Sequence, residues 1–476
     1  MSCVKVQPPE TQTVSRAPQF TAAFIVNLIA FTSGFSTGWP ATAIPYLEGP
    51  ESPIPLTPDQ SSWIISLLCL VAAFTTPFAA FLPDKIGRKK TGYLVAVSHL
   101  ICWTLITLAT NVIMLYIART FSGLCSVGVF IFAPTYVVEI AVDQIRGTLG
   151  TFVIALCNSG IALSYVIGWL LTYEQVCYVN LCLPVIFILL FYWLPETPKY
   201  LIYSGKFEEA KKSLQWFRGR SYDITAEYNQ IKASFDNNEP RAPLVPLKEI
   251  FASKSILRGL FIVLVLAANH QLCGIYPVLS YTVTIFRESG SDISPNLSSV
   301  IVGSLLVVGN VTASFLIDRA GRRRLLIISD SIMSVSLMCI GVYFYLKSIG
   351  ADVSSIGWLP VTSLSIFVVA LSIGVGPMLY LVISEIIPPQ IKYVANAMAL
   401  TLVWFIAFLG AKFFNNLADL IGVHSTFWIF SLCCLLGMLV IIFQLPETKG
   451  KSLKEIERLL EGKCKKQEKI HDLPNV

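Results

Sequence analysis

Two charged heptads interrupt long apolar runs, and they repeat each other. Asp84-Lys85-Ile86-Gly87-Arg88-Lys89-Lys90 and Asp318-Arg319-Ala320-Gly321-Arg322-Arg323-Arg324 share the order acid, base, apolar residue, glycine and bases. Two further landmarks recur at similar spacing: Glu139 with Arg146 against Glu385 with Lys392, and Pro195-Glu196-Thr197 against Pro446-Glu447-Thr448. Three pairs in one order mark a doubled chain.

The runs between these landmarks are long enough to cross a bilayer, which takes about 20 apolar residues per helix. Composition agrees: 54% of residues are hydrophobic, 13% are charged and the mean hydropathy is +0.67, values foreign to a soluble protein of this length. The rule gives twelve spans, over 20–44, 61–82, 91–109, 112–138, 147–171 and 176–194, then 257–286, 297–317, 325–346, 357–386, 393–420 and 423–445. The expected fold class is an all-α membrane protein of twelve transmembrane helices in two six-helix bundles. The corresponding division is a tail at 1–19, a first bundle at 20–194, a linker with short helices at 195–256, a second bundle at 257–445 and a tail at 446–476.

Lys and Arg crowd the loops after spans 2, 6 and 8 and the C-terminal tail, whereas Glu48, Glu51, Asp59, Glu174 and Asp292 lie on the other side. Positive-inside bias puts both termini in the cytoplasm. The polar residues 1–19 carry no apolar core followed by a cleavage site, so the first span is expected to serve as an uncleaved anchor. Within the linker, 206–218 and 224–235 read as helices before the prolines Pro240, Pro243 and Pro246. Residues 455–460 carry either a dileucine signal or, with Leu453, an amphipathic helix, and the helix is favoured.

Paired six-span halves suit a carrier whose midplane site lies between two rocking bundles. No GxxxxGK[ST] loop is present, so neither a nucleotide nor a cofactor is expected. The twelve cysteines lack metal-ligand spacing, which leaves no metal expected. The net charge of +6 sits in short loops and tails and reports topology rather than nucleic-acid binding. No nucleophile or cofactor loop emerges, and an enzyme is not expected.

The twin D-x-x-G-R loops, Arg119-x-x-x-Gly123, Glu139 with Arg146-Gly147, PETPKYL at 195–201, Gln271-Leu272-Cys273-Gly274-Ile275 and PETKG at 446–450 together resemble the sugar porter family of the major facilitator superfamily. Within it, Arg146 to Gly150, Asn158 to Ile161 and Lys412 are most similar to the insect facilitated trehalose transporters. The resemblance implies a facilitative carrier of a sugar, trehalose or a hexose, working as a monomer in the plasma membrane. The alternatives are a carrier of another small polar solute and a non-transporting sugar sensor. The short tail after Lys449 disfavours the sensor.

The resemblance also implies that Asp84, Arg88, Glu139, Arg146, Asp318, Arg322, Glu385 and Lys392 form salt-bridge clusters that close the inner side. The bland reading is that the bases only set topology. Arg119 is a buried charge in span 4. Ser36 stands where proton-coupled sugar porters carry an Asp, and a serine cannot titrate, so facilitated diffusion is the simplest expectation. No other clearly midmembrane acid is found.

A sugar needs hydrogen-bonding side chains and an aromatic platform near the midplane. Gln271 is the first candidate, beside Gly274, which lets span 7 bend or pack closely, while Gly374, Gly376 and Pro377 similarly break span 10. Trp404 matches a family tryptophan and Tyr380 replaces a second one. Relative to facilitative glucose transporters, Ile154, His270, Tyr276, Leu306, Val403 and Ala407 occupy polar positions and Ser372 replaces an acid. The substrate is then held by Asn158, Asn269, His270, Tyr276 and Asn310, or is not a simple hexose. Each has a plainer alternative: Asn158 and Asn310 as helix bridges, His270 as a packed neutral ring, Tyr276 as core or gate. Lys412 is expected to snorkel to water. Asn296-Leu297-Ser298 fits a glycosylation site too close to span 8 for ready use.

Overall fold

A computed structural model describes residues 14–236, 254–291, 293–388 and 391–460. The expected sites at Asp292 and at the linker prolines lie outside the described residues, as does the side chain of Asp318.

The described residues form helices joined by short loops, with no strand among them. The first bundle comprises span 1 (Ala17–Leu47), span 2 (Pro58–Ala79), span 3 (Arg88–Thr107), span 4 (Val112–Ile140), span 5 (Phe152–Leu170, after the short helix Asp143–Gly150) and span 6 (Tyr173–Tyr192). The second comprises span 7 in three pieces (Lys254–Leu272, Ile275–Ser280, Thr282–Ser289), span 8 (Pro295–Ala320), span 9 (Arg322–Ser348), span 10 in two pieces (Leu359–Ile373, Val375–Ile386), span 11 (Lys392–Ile421) and span 12 (Val423–Gln444). Eleven helices among the described residues meet the length and apolarity of a membrane span. Span 3 is diluted by Lys89, Lys90 and His99.

The bundles meet along three seams: span 2 against span 11, span 5 against span 8, and span 1 against the later pieces of span 7. Three linker helices, Pro198–Tyr203, Phe207–Arg218 and Thr225–Asp236, lie at the end bearing the twin basic loops, called the basic end below. They belong to the first bundle. Gln19 Nε2 donates to the Phe217 carbonyl at 3.2 Å while its Oε1 accepts from Val142 N at 2.9 Å, and Arg218 reaches the Ile140 carbonyl and Glu227, each at 2.6 Å. The helix Leu453–Leu460 docks on the second bundle instead, with Ile456 and Leu460 buried and the Leu460 carbonyl accepting from Arg258 Nη1 at 3.1 Å. Of the expected apolar face, Ile456 and Leu460 pack inward while Leu459 is exposed.

The repeated landmarks serve the same local need in each half. Spans 3 and 9 start inside protein, and their first amide groups have no partner within the helix. Glu196 Oε2 accepts from Lys89 N at 2.9 Å. In the other half, Glu447 accepts from Arg322 N at 2.9 Å and Arg323 N at 3.2 Å. A carboxylate at a helix N-terminus also meets the favourable end of the macrodipole. The preceding glycines admit this approach: Gly87 and Gly321 have φ of 100° and 85°, and an added Cβ would press on the Glu196 or Glu447 carboxylate. Hence the glycine in D-x-x-G-R and the glutamate in PET are one device.

The two copies differ in charge balance. Burial raises the Glu196 carboxyl above the ordinary range despite the Lys89 and Thr197 amides. For Glu447, burial also pushes upward, but the amides of Lys449, Arg322, Arg323 and Thr448 outweigh it and hold the group below that range. Neutral glutamine should therefore be tolerated better at the first position. Thermal melting in detergent is expected to show Glu447→Gln lower by about 2–4 °C, the scale of ~1 kcal/mol in a unit of this size, with Glu196→Gln shifted less; equal or reversed shifts would contradict the assignment.

Candidate functional site

A cavity of about 150 Å³ lies between the bundles near mid-depth. The second bundle lines it with His270, Gln271, Tyr276, Leu306, Asn310, Ser372 and Tyr380, and the first with Phe130, Ile154, Cys157 and Asn158. Six of the eight candidate substrate residues thus share one wall system, whereas Asn269 turns to Asp330 of span 9. Trp404 does not line it, and packs instead against Phe130 across the bundle interface, ring centroids 6.2 Å apart.

The interruption of span 7 delivers these groups. Gly274, at φ 81°, ends one helical piece and starts the next, a conformation that L side chains rarely adopt. His270 and Gln271 lie just before the break and Tyr276 just after it. Gln271 Oε1, His270 Nδ1 and Ser372 Oγ are buried with no hydrogen-bond partner among the described residues. Buried polar atoms are normally paired, so three converging on one cavity are suited to a polar guest.

Away from the cavity, Arg119 is fully buried. Its Nε donates to the Ile64 carbonyl at 2.8 Å, and Nη1 donates to the Ser36 carbonyl at 2.9 Å and Oγ at 3.3 Å. Ser36 Oγ in turn shares a hydrogen bond of 2.7 Å with Ser122 Oγ, and the guanidinium lies 5.8 Å from the Trp39 ring. None of the ion pairs among the described residues includes Arg119. Two backbone carbonyls and the Ser36 hydroxyl take up Nε and Nη1, as intramembrane arginines require, while the buried Nη2 has no hydrogen-bond partner among the described residues.

The two ends of the bundle interface differ. At the basic end a second cavity, of about 410 Å³, is lined from both bundles by residues including Asp84, Pro134, Gly150, Tyr393 and Asn396. Phe130, Ile154 and Tyr380 border both cavities, forming the constriction between them. Phe130 was not foreseen from sequence. At the opposite end, Tyr165 of span 5 donates to the Leu279 carbonyl of span 7 at 2.7 Å. There Lys412 Nζ also meets Asp59 Oδ1 at 2.6 Å and Ser62 Oγ at 2.9 Å, 4.4 Å from the Trp63 ring.

This overturns the expectation that Lys412 snorkels. Its side chain is 8% exposed and ties span 11 to span 2. Asp59, placed by its sequence in a loop, lies in the first turn of span 2, which Thr57 caps, and supplies the counter-charge. The conformation is closed at this end and open toward the basic one.

The charged candidates at the basic end form contacts within each bundle. Arg88 Nη2 binds Asp84 at 2.8 Å and Glu139 at 2.7 Å, and Thr197 donates to the other Glu139 oxygen at 2.6 Å. The twin cluster joins Arg322 to Glu385 at 3.0 Å and Thr448 to Glu385 at 2.5 Å. Arg146 pairs with exposed Asp143 at 2.7 Å, and Lys392 Nζ approaches the Ser384 carbonyl at 3.4 Å, so neither joins a cluster here. Asn296 is half-buried in the first turn of span 8, with Ser298 buried behind it.

The model for "Sugar (and other) transporter" matches residues 13–460. The chain belongs to the sugar transporter family. A facilitated trehalose transporter from Bombyx mori is 36% identical over 98% of this chain and 91% of its own length. One from Aedes aegypti is 35% identical over 99% of this chain. The chain spans 58% of the Aedes protein and 59% of an Anopheles gambiae counterpart. The xylose transporter XylE from E. coli, in its inward-open form, superposes with a TM-score of 0.77 at 21% identity, covering 93% of this chain and 99% of that one. A form of XylE bound to 6-bromo-6-deoxy-D-glucose gives 0.73 at 22% identity, over 93% and 99%. The fold is that of the major facilitator superfamily.

The Lys412 contact should act as a latch, since it must break for the opposite end to open. A pair with one exposed partner contributes about 0–1 kcal/mol. Lys412→Met is accordingly expected to speed labelling of a cysteine placed at Asn158, by a membrane-impermeant thiol reagent added from the opposite end, about two- to fivefold. The parent chain serves as background, and an unchanged rate would remove the latch.

Proposed function

We propose that this chain carries a sugar across the plasma membrane by alternating access, without coupling to protons. The observation that carries the reading is the cavity between the bundles, where Gln271, His270 and Ser372 hold unmet polar atoms. It is closed toward one end by Lys412 and Tyr165 and continues past Phe130 toward a second cavity at the other. A solute bound there reaches one side in this conformation and the other after the bundles rock.

In this reading Gln271 is the principal hydrogen-bonding group, with His270, Tyr276, Asn158 and Asn310 around it and Tyr380 as the aromatic wall. Trp404 acts through Phe130 rather than by contact with the solute. The clusters around Arg88 and Arg322 hold each bundle's basic end as a rigid unit and rearrange against each other when that end closes. The basic end faces the cytoplasm, following the distribution of Lys and Arg, and the carrier works as a monomer in the lipid bilayer. The names of the relatives favour trehalose as the first sugar to test, with hexoses beside it. A second reading, another small polar solute, draws on Ile154 and Leu306, which give the cavity apolar walls.

Uncoupled transport draws on the Arg119 site, where Ser36 supplies a hydroxyl and a carbonyl. Uptake of labelled trehalose and glucose, with membrane current recorded, tests both parts. Wild-type uptake should saturate without inward current, and Gln271→Ala should lower it about tenfold, the scale of one buried hydrogen bond to a polar guest. Ser36→Asp places a carboxyl against Arg119 and should make uptake depend on external pH. Uptake of neither sugar by protein at the surface would end the sugar reading, and proton current in the wild type would end the uncoupled one.

A further inference from the structure

Span 9 carries a buried acid where the sequence reading found no further midmembrane one. Asp330 is fully buried, about two turns into the helix at 3.6 residues per turn. Both carboxylate oxygens accept from Asn269 Nδ2, at 3.0 and 3.1 Å. None of the ion pairs among the described residues includes it. Intramembrane acids are expensive to bury and are usually functional.

Asn269 immediately precedes His270 and Gln271, and its carbonyl accepts from Cys273 N at 3.3 Å in the last turn before the span 7 break. Its side chain is held from two sides. Asp330 binds the amide nitrogen, and Gly437 of span 12 leaves a notch behind it, where an added Cβ would overlap the amide. The neighbouring Ser329 performs a parallel task at the other interrupted helix: its Oγ donates to the Ala370 carbonyl at 2.7 Å. That same carbonyl accepts from Gly374 N at 3.0 Å, at the break of span 10.

We propose that Ser329 and Asp330 brace the two interrupted spans, and that Asp330 is a positioning residue for Gln271, acting through Asn269. The proposal rests on the span 7 reading above. Successive helical residues point about 100° apart, so a modest rotation of the first piece of span 7 turns Gln271 away from the cavity. A bidentate carboxylate on the residue one step earlier resists that rotation.

The test is the rate at which a small water-soluble thiol reagent labels Gln271→Cys, with the parent chain's own labelling subtracted. Adding Asp330→Leu should change the rate about fivefold or more, the scale of losing one buried hydrogen bond. Asp330→Asn keeps an oxygen for Asn269 Nδ2 and offers an amide to Asn269 Oδ1, which has no hydrogen-bond partner among the described residues, so it should change the rate less than about twofold. The exchanged pair Asn269→Asp with Asp330→Asn should restore the parent rate. If Asp330→Leu does not reach the surface, Gly437→Ala presses on the same amide from span 12 and is expected to give the same direction of change. Equal labelling in Asp330→Leu, or in Gly437→Ala where that replaces it, overturns the brace. Sugar uptake by the same Asp330 and Gly437 variants in the Gln271 background separates the two ideas: KM raised with the maximal rate kept supports both. Altered labelling with KM unchanged keeps the brace and sinks Gln271 as the substrate contact.

Discussion

Hydrocarbon offers no hydrogen bonds, so a spanning helix can break only where protein or a polar cavity satisfies the freed backbone. Both interrupted spans, 7 and 10, obey this constraint, and both belong to the second bundle. Their breaks decide where polarity can exist at mid-depth. His270, Gln271, Tyr276, Ser372 and Tyr380 come from these two helices, whereas Phe130, Ile154 and Cys157 on the facing wall come from unbroken ones. The cavity is therefore chemically lopsided, with most of its hydrogen-bonding groups on the second-bundle side and Asn158 among the apolar residues of the facing wall. Such a wall pair fits a solute with hydroxyls on one edge and an apolar face on the other, which is how a sugar ring is built.

Doubling gave the two halves the same ends and let their interiors diverge. The glutamate of each PET motif caps the helix after each D-x-x-G-R loop, because every copy faces the same unmet amides. Inside the bundles the charges are placed singly. Asp330 follows Arg322 as Ala96 follows Arg88, and Arg119 precedes Glu139 as Ser365 precedes Glu385. Each buried charge stands opposite a small uncharged residue in the other half, and each is solvated by its own bundle. Neither charge is balanced by the other, so neither links the two bundles.

The number of spans, the doubled halves and the breaks in spans 7 and 10 were legible because apolar length, repeated motifs and glycines are local signals. The cavity was legible in the same way, since Gln271 and its neighbours sit beside Gly274. Failures arose where a partner lies far along the chain. Lys412 looked like a snorkelling lysine because Asp59 and Ser62 sit on another bundle, and nothing in the sequence joins span 11 to span 2. The expectation of no further midmembrane acid missed Asp330, which lies eight residues into a helix that begins at Arg322 rather than at 325. Trp404 was assigned by family likeness, and its neighbour Phe130 gave no signal, being one phenylalanine among 29.

A carrier must hold one end shut without holding it permanently, and the side-chain exposures at the opposite end meet that condition. Lys412 is 8% exposed and Asp59 is 70% exposed, so water competes for the carboxylate even while the lysine is buried. Were both partners buried, breaking the pair would cost about 3–5 kcal/mol, and the conformation open at that end would be populated about once in several hundred or fewer. With one exposed partner the contribution is about 0–1 kcal/mol. The Trp63 ring, 4.4 Å from Lys412 Nζ, sits on span 2 beside Asp59 and parts from the lysine in the same movement. The closed end is thus held by several weak contacts that water can replace one at a time, a arrangement compatible with repeated opening.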